Sequence, residues 1–105
     1  QAIIICDGIR RARFRDSIER PSLIEPGGIY EYQIDLWETS NVFKMGHRIR
    51  VEVSSSNFPR YDRNLNTGHQ PGLDDEMRIA EQVVYHDSTH PSRITLPVIP
   101  CPERA

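Results

Sequence analysis

The sequence predicts an all-β protein built as an antiparallel β-sandwich. Three observations lead to this fold class: apolar and polar residues alternate in several short segments, the connections are rich in turn-forming residues, and no segment carries a convincing apolar stripe at helical spacing. An alternation with a period of two is typical of strands with one buried and one wet face. Short strands separated by turn-rich connections favour a sandwich.

The first half of the chain contains three predicted strands. Residues 2–6 form a short apolar run that ends at Asp7 and Gly8, a common turn pair. Residues 9–15 alternate between arginines and apolar side chains. Cross-strand pairing of these arginines with Glu31 and Asp35 is favoured over binding of an acidic partner or phosphate. Residues 29–37 show the clearest alternation, with tyrosine, isoleucine and leucine on one side and acidic or amide residues on the other.

The second half contains three more predicted strands and one long connection. Residues 47–54 alternate, and the chain then enters a stretch, residues 55–78, without sustained periodicity. A loop of this length is uncommon in a compact domain and is usually functional or packed against something. Residues 79–87 and 93–99 complete the strands. Because Pro97 and Pro100 cannot donate a backbone hydrogen bond, the last strand is expected to lie at a sheet edge or to end early.

Composition limits the partners and the compartment. The chain has 105 residues and a formal net charge of -2, so it is one domain at most and does not require nucleic acid or an anionic membrane. It contains no apolar run of roughly 20 residues and no signal-peptide pattern. The compartment is left open, with the cytoplasm favoured. The two cysteines, Cys6 and Cys101, are more compatible with separate reduced thiols than with a disulfide framework.

The sequence lacks a recognisable catalytic centre. A serine hydrolase needs an exposed nucleophile, usually in a G-x-S-x-G elbow, and the chain has none. Ser54 and its two following serines lie at a strand exit, where their hydroxyls are expected to satisfy loop backbone groups. We therefore predict no catalytic residue and no cofactor in this chain.

Two clusters of polar residues could be interpreted as a metal site or a catalytic triad. A structural turn and a solvated loop are the favoured interpretations. His86, Asp87 and Ser88 could form an enzyme site, but His90 and Pro91 follow in what reads as a hairpin connection, which excludes the helical spacing of a zinc site. The acidic run at residues 74–76 lacks the alternating oxygen ligands of a calcium loop. We expect a structural turn and a solvated loop, and no metal.

The long connection carries the residues that we select as candidates. Aromatic side chains and arginines lie close together there, which is the composition that protein interfaces favour. Docking on a neighbouring domain, or bracing of the loop by its own charges, is preferred over ligand binding. The predicted docking or loop-bracing residues are Trp37, Asn57, Phe58, Arg60, Tyr61, Asp62, Arg63 and Asn64.

A family resemblance covers nearly all of the chain. The pattern that carries it is DLWETSNVFKMGHRIRVEVSSSNFPRYDRNLNTG, followed by VVYHDSTHPSRITLPVIP and preceded by DGIRRARFRDSIERPSLIEPGGIYEYQIDLW. It closely resembles the C-terminal part of X-Pro dipeptidyl-peptidase-like acyl hydrolases, which include cocaine esterase-type and α-amino acid ester hydrolases. The combination is long and specific.

The resemblance implies that the catalytic residues lie in a different domain of the same enzyme. In that family an α/β-hydrolase domain carries the Ser-His-Asp triad, and the C-terminal domain is a jelly-roll sandwich, similar to galactose-binding modules, that packs on it. Residues 1–105 are then expected to be a partial jelly-roll domain of a longer enzyme. The hydrolase domain of the same polypeptide, or a second copy of this chain, is expected to cover the open edge. A carbohydrate-binding module is the alternative function, and a self-contained enzyme is the third.

Overall fold

A computed structural model describes residues 1–102 of the chain. Its regular element is one turn of 3₁₀-helix at Ala12–Phe14, in which Phe14 N donates to Arg11 O at 3.0 Å and Arg15 N to Ala12 O at 3.3 Å. The rest of the described chain consists of turns, bends and irregular backbone. Within this part, no helix is long and apolar enough to cross a membrane.

The predicted all-β jelly-roll sandwich is wrong for this structure, because residues 1–102 contain no β-strand. A strand exists only through hydrogen bonds to a neighbouring strand. The backbone bonds outside the helical turn mostly close local turns, although two join more distant positions: Ser22 N to Arg13 O at 2.7 Å and Arg78 N to Leu65 O at 2.9 Å. An alternating sequence indicates which side chains would share a face of a strand. It does not show that a neighbouring strand is present to pair with it.

The described residues do not form a buried core. None of their side chains is buried, and the chain exposes 10861 Å² of surface, whereas a compact protein of this mass exposes roughly 6,000 Å². The radius of gyration of 17.7 Å also exceeds the value of about 13 Å for a compact domain of this length. Apolar side chains of the alternating segments, such as Val51 and Ile79, therefore stay in solvent. Local polar contacts position the chain instead.

The strongest of these contacts lie in residues 12–30, which we call the Arg15 segment. Nη1 of Arg15 donates to Ser22 O at 2.6 Å, and Nη2 donates to Leu23 O at 3.2 Å. The guanidinium also lies over the Tyr30 ring, 4.5 Å from its centroid. Only 10% of the Arg15 side chain is exposed. One arginine thus holds together three separate positions of this segment.

Both cysteines are free thiols, as the sequence favoured. Cys6 is half-buried, whereas Cys101 is exposed.

Candidate docking surface

Residues 57–64, which we call the docking loop, begin with a closed turn. Tyr61 N donates to Asn57 O at 3.1 Å. Immediately before the loop, Ser54 Oγ donates to Ser56 O at 2.9 Å and accepts from Ser56 N at 3.2 Å. This is the backbone-satisfying role that the sequence predicts for the serine run, since short hydroxyl side chains bond readily to nearby backbone.

Two aromatic side chains of the docking loop are each accompanied by an arginine. The Arg63 guanidinium lies 4.5 Å from the centroid of the Phe58 ring, and that of Arg60 lies 5.4 Å from the Tyr61 ring. Arg60 Nε also donates to the Tyr61 hydroxyl at 3.2 Å. These cation–π contacts restrict the rings while leaving Phe58 57% exposed. The loop therefore presents the Phe58 ring at its surface, whereas Tyr61 is half-buried.

The charged side chains of the loop form ion pairs with the start of the chain. Arg60 Nε lies 3.1 Å from Asp7 Oδ2, and Asp62 Oδ2 lies 3.5 Å from Arg11 Nη2. The hydrogen bond to the Tyr61 hydroxyl, and then the Asp7 carboxylate, raise the pKa of Arg60. Its positive charge is thus favoured by both neighbours. The sequence suggested ion pairs among the charged residues of the loop itself. In the structure, Arg60 and Asp62 instead form ion pairs with residues 7 and 11.

Trp37 lies beside the docking loop and is mostly exposed. Its backbone adopts a left-handed conformation, φ 62°, and its N–H donates to Asp35 Oδ1 at 2.8 Å. The side chain is 79% exposed. Trp37 and Arg60 line one open cleft of about 240 Å³. The complete set of lining residues is Ile5, Cys6, Asp7, Leu36, Trp37, Glu38 and Arg60.

The last candidate, Asn64, shapes the chain that leaves the loop. Its Oδ1 accepts from Asn66 N at 3.1 Å, and Asn66 has a left-handed backbone, φ 59°. Nδ2 of Asn66 donates to Arg78 O at 3.1 Å. Small amide side chains tolerate this conformation and bond to nearby backbone, which is why the turn-rich composition predicts a shaped loop here. Whether these residues dock on a partner stays a prediction.

The arginines of residues 9–15 have partners different from those that the sequence favoured. Cross-strand pairing with Glu31 and Asp35 was expected, but Arg11 meets the docking loop and Arg13 Nη2 donates to His69 O at 2.9 Å. Arg15 bonds mainly to backbone carbonyls, as described above. The expected pairing required a sheet, and the described residues do not form one.

Residues 87–90 bend the chain, in line with the structural turn that the sequence predicts for the histidine-containing segment. Asp87 Oδ1 accepts from Thr89 N at 2.9 Å and from His90 N at 2.7 Å. The His90 ring lies 5.1 Å from the Tyr85 ring. Among residues 1–102, no group of three or more His, Cys, Asp or Glu side chains lies close enough to hold a metal ion.

Sequence reasoning missed two ordered contacts. One is the set of hydrogen bonds that Arg15 makes in the Arg15 segment. Its acceptors are backbone carbonyls, which every residue carries, so the sequence does not indicate them. The other joins His69 Nδ1 to Asp74 Oδ2 at 2.6 Å. The only available signal for it was the pair of turn formers, Pro71 and Gly72, that brings these two residues together.

Comparison with known proteins defines the class of this chain. Residues 1–95 match the X-Pro dipeptidyl-peptidase C-terminal non-catalytic domain. The chain therefore belongs to this domain family, which confirms the resemblance predicted from its long signature.

A much longer esterase contains a segment similar to this chain. The chain is 52% identical over 101 residues to cocaine esterase from Rhodococcus sp. (strain MB1 Bresler). That match covers 94% of this chain and 18% of the length of the esterase. No solved structure matches the chain.

Proposed function

We propose that this chain is the non-catalytic domain of a serine acyl hydrolase and packs on the catalytic domain of the same polypeptide. In this role it forms part of the wall or entrance of the substrate pocket. The catalytic domain cleaves esters or amides, including Xaa-Pro peptides, through an acyl-enzyme intermediate. The membership of a domain family described as non-catalytic is the observation that carries the proposal.

The docking loop and Trp37 are the proposed contact surface. Aromatic residues and arginines are enriched at the energetic centres of protein interfaces. Phe58 and Trp37 are exposed, whereas Tyr61 is half-buried. Arginines flank Phe58 and Tyr61, and Asp35 accepts from the backbone N–H of Trp37. Restricting such groups before association lowers the entropy lost on binding.

The open cleft beside Trp37 extends this surface toward the start of the chain. Its walls include the Asp7–Arg60 ion pair and the apolar side chain of Ile5. A partner that filled the cleft would contact the loop and residues 5–7 together. An interface of mixed apolar and charged character is typical of contacts between domains of one chain.

A domain exchange tests the proposal. This chain would replace the matching segment of the Rhodococcus esterase, and ester turnover and thermal unfolding would be measured. We expect the chimera to fold and turn over ester, because identity over the exchanged segment is 52%. The isolated chain, assayed on an activated ester, is expected to show no turnover.

Two controls make the exchange decisive. The esterase with the segment deleted should unfold at a lower temperature than the chimera, which shows that the exchanged segment contributes to stability. A second chimera carrying Trp37→Ala and Phe58→Ala should lie between these two proteins. Turnover by the isolated chain, or a chimera no more stable than the deletion, would overturn the proposal.

A further inference from the structure

We draw no further inference here: the strongest candidate, the exposed apolar side chains of residues 79–99 (among them Ile79, Val83 and Leu96), carries nothing because no feature of the part of the chain that the structure describes indicates what covers them.

Discussion

The Arg15 segment and the docking loop use the same residue type for opposite purposes. Arg15 directs its guanidinium at backbone carbonyls of its own segment and is only 10% exposed. Arg63 lies over the ring of Phe58, a residue that remains 57% exposed. The first arrangement satisfies the hydrogen-bond donors of an arginine within the chain. The second leaves an aromatic side chain exposed, so that a partner could contact it. Both guanidiniums lie 4.5 Å from a ring centroid, so the backbone acceptors of Arg15 and the exposure of the ring beside Arg63 are what separate a structural role from an interfacial one.

The largest expected effect is the loss of local order in the Arg15 segment on Arg15→Ala. Hydrogen bonds that involve a charged donor contribute about 1.5–3 kcal/mol each, and this side chain makes several. Hydrogen exchange of the Ser22 amide, which donates to Arg13 O, should accelerate about tenfold or more, the factor that corresponds to the loss of one such bond.

Arg20→Ala is the matched control, since Arg20 lies in the same segment and is exposed. Arg15→Lys should resemble the alanine variant, because an ammonium group cannot reproduce the planar fork that reaches two carbonyls at once. Equal exchange rates in the Arg15 and Arg20 variants would contradict the structural role given to Arg15.

A smaller effect is expected for Phe58→Ala, and it should be seen only where a partner is present. Burying a phenylalanine fully contributes about 1.5–3 kcal/mol, and in this chain alone the ring is largely exposed. The variant should lower the unfolding temperature of the esterase chimera. It should leave hydrogen exchange of the Ser22 amide in the isolated chain unchanged.

Phe43→Ala provides the control for this variant. Phe43 is also a partly exposed phenylalanine, but it lies outside the docking loop. If both substitutions lower the unfolding temperature of the chimera equally, the loop has no special part in docking and the comparison between the two regions fails.

The domain family and the local turns were predicted correctly from the sequence, whereas the arrangement of strands into a sheet was not. The long signature identified the domain family, and the composition of residues 54–64 anticipated the bonds of Ser54 and Asn64 with nearby backbone. Such contacts depend on residues close in sequence, so composition carries the information. Pairing between distant strands of the chain does not follow from composition. An alternating segment has the same sequence pattern whether or not another strand pairs with it.

The members of the candidate surface are a prediction from the sequence, whereas the contacts that connect them to the rest of the chain come from the structure. Trp37, Arg60 and Phe58 were selected because aromatics and arginines cluster in that part of the sequence. The tie from Arg60 to Asp7 and that from Asp62 to Arg11 join distant positions. No local rule selects Asp7 among the acidic residues of the chain, so these contacts follow only from the folded structure.

The smallest expected effect is that of Arg63→Ala, which tests whether the arginine helps docking only through Phe58. An exposed cation–π contact contributes about 0.5–1 kcal/mol, so the variant should weaken domain docking slightly without abolishing ester turnover. Arg48→Ala is the control, since Arg48 is an exposed arginine outside the loop. In the chimera, the effect of Arg63→Ala should disappear when Phe58 is already alanine, because the arginine then has no ring to hold. Unchanged unfolding and turnover in the single variant would remove Arg63 from the docking surface, whereas a full effect in the double variant would show that it contacts the partner directly.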